Sequence, residues 1–341
     1  MLSREVRTQT LLLTAKDIDK LLDMKEVIPA VESAFRYKGL GKIDMPPKSY
    51  LTFAEHNGDL RTMPSYIPDL GVAAVKVVNS HPDNSKKHNM RTVMATLTLI
   101  DPETGAPLAF MDATLITGMR TGAASAVASK YLARKDPRVL GVIGAGNQAK
   151  TQILALMTYY RGFETIKVND LYSENARELV QHYRRKYGKE DLGGIEAVPT
   201  PEDCVRGSDI VVTATPSRKP IVMDDWVEDG MHFNCIGADA PGKQELDPAL
   251  LKRSTVVIDD WEQASHSGEI NVPLSSFQIT REDIHAEIGQ IVAGLRPGRQ
   301  NRRQITVFCS TGLAVQDAVT AKIVYDRALE LNIGKLIQML P

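Results

Sequence analysis

Arg138-Val-Leu-Gly-Val-Ile-Gly-Ala-Gly-Asn-Gln-Ala149 decides how this chain folds. The apolar run Val139 to Ile143 has the length and composition of a buried strand, and it ends in Gly144, Gly146 and Ala149. That is the G-x-G-x-x-A form of the dinucleotide fingerprint, placed where a helix opens. Gly144 permits the tight turn, Gly146 lets backbone approach a pyrophosphate, and Ala149 lets the helix pack close to its strand. Uncapped amide groups at the helix start then meet the phosphates.

Alone, such a fingerprint is weak, because glycines at strand ends often do no more than turn the chain; its flanks decide. Thr165 to Asn169 reads as a second strand ending in Asp170. An acidic residue is expected at about that distance to hold the adenosine ribose. A carboxylate there favours the free 2′-hydroxyl of NAD and repels a 2′-phosphate.

At 341 residues the chain can bury a large core. Single domains seldom exceed roughly 250 residues, so two are expected. Its 41 basic and 42 acidic residues nearly cancel, which argues against a nucleic-acid or membrane-surface partner. Cys204, Cys235 and Cys309 are far apart and lack C-x-x-C spacing, as in a reducing cytoplasm. Met1 to Val6 has no signal-peptide core, and no apolar run approaches a membrane span. A soluble cytoplasmic protein is expected.

Working outward, the chain opens with a strand at Leu11 to Leu13, then Thr14 with Asp17 as a capping pair. Asp23 caps a helix with Val27, Val31, Ala34 and Phe35 on one face, Pro29 in its first turns and Gly39 as its stop. Ser49 to Phe53, Leu60 to Tyr66, Val72 to Asn79, Val93 to Ile100 and Pro107 to Met111 read as strands of a mainly antiparallel sheet, with a turn at Asp101 to Gly105. Thr121 to Arg134 reads as an alanine-rich helix. Apolar runs then begin at or just after Val139, Thr165, Ile195, Asp209, Met231, Thr255 and Gln304, alternating with helices. The expected fold is α/β: a Rossmann-type doubly wound parallel sheet plus a discontinuous α+β substrate and dimerisation domain. The final amphipathic helix, Leu313 to Leu331, returns to the first domain. The expected boundaries are 1–125 with 317–341, and 126–316 for the NAD domain.

Ligands of doubly wound sheets lie outside the carboxyl ends of the strands. Those ends carry Thr213-Ala-Thr-Pro-Ser217, Gly237-Ala-Asp-Ala-Pro-Gly-Lys243 and Ser310-Thr-Gly312. Asp239 and Lys243 stand where a nicotinamide would lie, although Asp239 also reads as a turn-stabilising aspartate. In the first domain Lys76 interrupts an apolar strand on the face of Ala74 and Val78, which is costly unless it serves a cleft or a solvated face. Arg61 and Arg120 each read singly as surface arginines. Beside a dinucleotide site they suggest a pocket for a small carboxylate.

The segments Arg61-Thr-Met-Pro64, Val75-Lys-Val-Val-Asn-Ser-His-Pro82, Arg120-Thr-Gly-Ala-Ala124, Gly144-Ala-Gly-Asn-Gln-Ala149, Gly237-Ala-Asp-Ala-Pro-Gly-Lys-Gln-Glu-Leu246 and Ser310-Thr-Gly-Leu-Ala314 resemble the ornithine cyclodeaminase/mu-crystallin family over nearly the whole chain. Within it the chain is most similar to the archaeal-type alanine dehydrogenases. The resemblance implies a homodimer joined through the first domains' sheets and an NAD domain in each subunit. It implies catalytic roles for Lys76 and Asp239, and substrate contacts from Arg61, Lys76 and Arg120. It places NAD on Arg120, Thr121, Gly144, Gly146, Asn147, Gln148, Asn169, Asp170, Leu171, Thr215, Gly237, Ala238, Asp239, Lys243 and Ser310. Where cyclodeaminases tend to carry an acidic residue this chain has Arg61, which would repel ornithine's second amino group. Lys48 stands where the family often has an arginine.

The implied reaction is oxidative deamination of L-alanine to pyruvate and ammonia, with Lys76 as acid/base. Its amine, near ~10.4 when free, would have to fall toward ~7–8 beside Arg61 and Arg120. Asp239 would offset the iminium charge. Redox-neutral cyclodeamination of ornithine, ketimine reduction and mu-crystallin-like ligand storage are the alternatives. The seven histidines show no metal-binding spacing, no G-x-S-x-G element is present, and His81 and His88 read as solvated.

Overall fold

The computed structural model describes residues 9–188 and 193–339, so the Met1–Val6 segment lies outside the described residues. The chain divides into two compact units, one of Met1–Arg120 with Leu313–Pro341 and one of Thr121–Gly312.

The first unit is built on a seven-stranded sheet in the order Lys335–Gln338, Gln9–Leu13, Pro107–Asp112, Val93–Ile100, Val72–Ser80, Gly58–Ile67, Ser49–Phe53. Every pairing is antiparallel except that of Gln9–Leu13 with Pro107–Asp112. Alternation along the strands sends one set of side chains inward, as a period of two requires. Val72, Ala74, Leu97, Leu99 and Met111 meet Ile18, Leu21, Val324 and Ala328 in one core. Helix Met24–Gly39 is capped by the Asp23 carboxylate, which accepts from the Lys25 N–H at 3.0 Å. Its Val27, Val31, Ala34 and Phe35 are fully buried, as their helical spacing predicts.

The chain leaves this unit and returns with helix Ala314–Leu331, which packs across strands Gly58–Ile67, Val72–Ser80 and Val93–Ile100. Expected as amphipathic, it is buried on all sides from Ala314 to Ala321. A stretch buried all round belongs inside a core, and its alanines let it approach the sheet closely.

The second unit is an eight-stranded sheet in the order Ile284–Glu287, Thr255–Ile258, Thr306–Cys309, His232–Cys235, Ile210–Thr213, Val139–Ile143, Thr165–Asn169, Gly194–Ala197. All its pairings are parallel. Strands covered on both faces become continuous apolar runs, as Ile210–Thr213 and Thr306–Cys309 are. Strand order reverses at Val139–Ile143, the strand that carries the fingerprint. Ligands of such sheets bind at that reversal.

One helix differs from the sequence reading. The segment expected at Thr121 to Arg134 runs Thr114–Leu132 and takes in Arg120. Buried Ile116, Met119 and Ala123 continue its helical spacing toward the amino terminus, and Asp112 accepts from the Thr114 N–H at 3.1 Å to start it. At Gly122 a side chain would collide with the backbone of Thr151, so this helix and Asn147–Tyr159 meet at a glycine. Four short strands escaped the sequence reading: Arg218–Val222 with its partner Gln244–Leu246, Ile284–Glu287, and Lys335–Gln338.

Candidate active site

Lys76 lies on the buried face of its strand, where alternation puts it in line with Val72 and Ala74. It is 1 % exposed, which overturns the solvated-face alternative. Its Nζ stands 2.6 Å from Asp317 Oδ2, a carboxylate that is itself 1 % exposed and belongs to the first turn of helix Ala314–Leu331. The other oxygen of Asp317 accepts from Arg120 Nε at 2.9 Å, and Arg120 Nη1 donates to Gln316 Oε1 at 3.0 Å. One carboxylate therefore serves two buried cations. Burial, and then the Arg120 charge, push the Lys76 amine down to about 7, while Asp317 opposes the fall and Lys48 adds to it. The neutral amine is thus accessible near neutral pH.

Arg61 is not the cation that does this. It lies on the same face of the neighbouring strand, 8 % exposed, and its guanidinium grips the Asp59 carboxylate with contacts of 2.8 and 3.1 Å. It also lies over the ring of Tyr50, 5.6 Å from the centroid. Asp59 therefore orients the arginine that the sequence reading set beside Lys76. Asp317 and Gln316 were missed altogether. An acidic residue in a helix first turn ordinarily complements the dipole at the surface, and that reading hides a buried partner. The usable signal was a carboxylate inside the apolar run Leu313 to Val319.

In the second unit the fingerprint has the geometry its residues demand. Gly144 has φ +99°, and a Cβ there would lie 2.6 Å from the Ala214 carbonyl oxygen, so only glycine makes this turn. Gly146 is the N-cap of helix Asn147–Tyr159, no side chain caps that helix, and a Cβ on Gly146 would meet nothing within 4 Å. Ala149 is fully buried. Asp170 accepts from the Ala145 N–H at 2.8 Å and from the Tyr172 N–H at 2.9 Å, bracing the glycine turn from the next strand end. Asn169 spends its side chain on the Val198 carbonyl at 3.1 Å, and its own carbonyl accepts from Gly144 N–H at 2.8 Å. Leu171 is 89 % exposed beside it.

The remaining strand ends are tied by carboxylates. Glu245, fully buried, accepts from Thr213 Oγ1, Thr215 N and Thr215 Oγ1 at 2.7 Å each and from Gly237 N at 2.9 Å. Asp259, also buried, accepts from Thr311 N at 2.6 Å and Gly312 N at 2.8 Å, with Ser310 Oγ at 3.4 Å. Asp239 pairs with Lys243 at 2.5 Å, next to fully buried Ala238. Thr121 is 5 % exposed in the long helix. Among the described residues no group of histidine, cysteine, aspartate and glutamate side chains could hold a metal ion.

The family profile of the ornithine cyclodeaminase/mu-crystallin family matches residues 8–332. The chain belongs to that family. An alanine dehydrogenase of Archaeoglobus fulgidus is 48 % identical over 97 % of this chain and 98 % of its own. Among solved structures, an archaeal alanine dehydrogenase dimer with bound NAD is 48 % identical and superposes with a TM-score of 0.92, covering 97 % of this chain and 100 % of that one. A Thermococcus litoralis Delta(1)-pyrroline-2-carboxylate reductase, solved with NADH and L-proline, is 41 % identical with a TM-score of 0.92 over 96 % and 100 % of the two chains.

The nucleotide end of this family member fits a dinucleotide on its own geometry. Gly146 leaves open space over an uncapped helix start, where backbone N–H groups and the helix dipole favour phosphate. Gln148, in the first turn, has a buried amide oxygen without a hydrogen-bond partner. Gly146→Val should leave the thermal midpoint within about 2 °C of the parent, because no protein atom is crowded, yet weaken NADH binding by about tenfold or more by filling the phosphate space. Fluorescence titration with NADH and a melting curve check both halves.

Proposed function

We propose that this chain is an NAD-dependent amino-acid dehydrogenase that oxidatively deaminates L-alanine to pyruvate and ammonia and runs the reverse amination. The observation that carries the reading is the buried Lys76, whose amine is brought to about 7 and held by Asp317. A lysine in an ordinary surface strand has no such environment. When bound, NAD accepts the hydride that leaves the substrate α-carbon.

The protein's own groups do the rest. Lys76, neutral above about pH 7, takes the proton from the substrate ammonium and passes it to solvent, then draws one from the water that adds to the iminium and returns it to the departing ammonia. Asp317 and Gln316 fix Nε and Nη1 of Arg120, and its guanidinium is assigned the substrate carboxylate. Arg61, oriented by Asp59, supplies the second cation of that pocket. Asp239 is assigned the negative charge that stabilises the iminium, with Lys243 beside it. Thr121, Thr215, Gly237, Ala238 and Ser310 are assigned to the nicotinamide end, and Asp170 and Leu171 to the adenosine end. Asp170 supports NAD over its 2′-phosphorylated form.

A second reading is reduction of a cyclic imine, because the Thermococcus litoralis relative is a pyrroline-2-carboxylate reductase. Both readings move hydride at a carbon bearing nitrogen and a carboxylate, so Lys76 and the arginines serve either. Ornithine cyclodeamination is disfavoured by the cation Arg61. The relative with bound NAD is a dimer. The outer face of this chain's first sheet, with Leu51 and Phe110 exposed, supports the same assembly here.

NADH absorbance should grow when NAD is offered with L-alanine and not with L-ornithine, and the rate at limiting alanine should climb through about pH 7 as Lys76 loses its proton. Lys76→Ala should fall by about 100-fold or more. Growth with L-proline alone would select the imine-reductase reading instead. Light scattering should report a dimer, and Phe110→Asp a monomer, since a charge is too costly to bury in that face.

A further inference from the structure

We infer that Glu245 is a positioning residue for the nicotinamide end of the site, its carboxylate locking the loop that carries Thr215 to the loop that carries Gly237, Ala238 and Asp239. The inference rests on the dinucleotide reading above and goes beyond it, since Glu245 itself is assigned no contact with cofactor or substrate.

The geometry is specific. Strands Ile210–Thr213 and His232–Cys235 are parallel neighbours with Thr213 opposite Cys235, and both chains turn away from the sheet just beyond these residues. Their first turns are packed backbone to backbone, since a Cβ on Gly237 would collide with the Thr215 backbone and lie 2.6 Å from Glu245 Oε1. Oε1 of Glu245 receives the Thr215 N–H and hydroxyl, and Oε2 receives the Gly237 N–H and the Thr213 hydroxyl. Each oxygen thus holds one backbone N–H, and the two N–H groups belong to different loops. A hydroxyl can rotate to present a lone pair, but a backbone N–H cannot.

Glu245 is held in turn. Glu269, 1 % exposed, accepts the Glu245 N–H with both oxygens at 2.9 and 3.0 Å and the Leu246 N–H at 2.7 Å. Two buried carboxyls this close do not both ionise readily. Burial raises both, and the charge on Glu245 adds to the rise at Glu269, whereas the donors around Glu245 favour its ionised form.

Glutamine cannot substitute. Either orientation of its amide sets an NH2 against a backbone N–H, so one of the two loops is released. Glu245→Gln is expected to raise the KM for NAD and lower kcat, together by about tenfold or more, the loss expected when a buried donor is left unpaired. ADP-ribose, which has the adenosine and pyrophosphate but no nicotinamide, should inhibit the variant within about twofold of its inhibition of the parent. Thr213→Val, which removes one hydroxyl and leaves both N–H bonds, should move the same parameters by roughly threefold and provides the test if Glu245→Gln does not fold. Equal losses for NAD and ADP-ribose would overturn the inference, because general loosening of the unit acts on both ends. Unchanged NAD kinetics in both variants would overturn it as well. A parent protein that binds neither NAD nor ADP-ribose would remove the functional reading, and this inference with it.

Discussion

A lysine ammonium shut inside an apolar core is unstable unless something answers its charge, and in this chain that something arrives from the far end of the sequence. Asp317 reaches Lys76 because the chain returns after Gly312 and lays a helix of small residues across the antiparallel sheet. The discontinuity of the first unit is therefore tied to its chemistry. Asp317 also holds Arg120, so one carboxylate orients two cations and fully compensates neither. The shortage of negative charge, added to burial, favours the neutral lysine. A substrate carboxylate would bring the missing anion.

The second unit applies carboxylates differently. Asp170, Glu245 and Asp259 each stand at a carboxyl end of the parallel sheet and accept backbone N–H groups from the loop beside it. Loops at such ends must be polar to meet a ligand, yet fixed enough to present their groups in register. Backbone-to-carboxylate bonds give that rigidity without filling the space over the strands, which is left clear above Gly146.

Much of this was legible in the sequence, for physical reasons. Val139–Ile143 and Thr165–Asn169 were found at their observed limits because strands buried on both faces leave an uninterrupted apolar run. The strands around Lys76 were found as apolar runs separated by turn residues. Helix Thr114–Leu132 was cut short because its first turns hold threonine and glycine, poor helix formers that tertiary packing overrides. Short pieces such as Lys335–Gln338 carry too few residues to show a period. The partners of the predicted site residues were harder. Lys76 stood out as a charge in an apolar strand, but Asp317 lies 241 positions later and looks like an ordinary helix-start acid. Arg61 was set beside Lys76 by charge alone, and Asp59, two residues away, claims it.

The most direct test of the account is the titration of Lys76 itself, followed by NMR of the lysine side chain with Lys76→Met to identify its signal. The account predicts a midpoint near pH 7, moved lower when Asp317 is replaced by asparagine, because the carboxylate is what stabilises the ammonium. A midpoint near that of a free lysine, about 10.4, unmoved by Asp317→Asn, would contradict it and take from Lys76 the role of base.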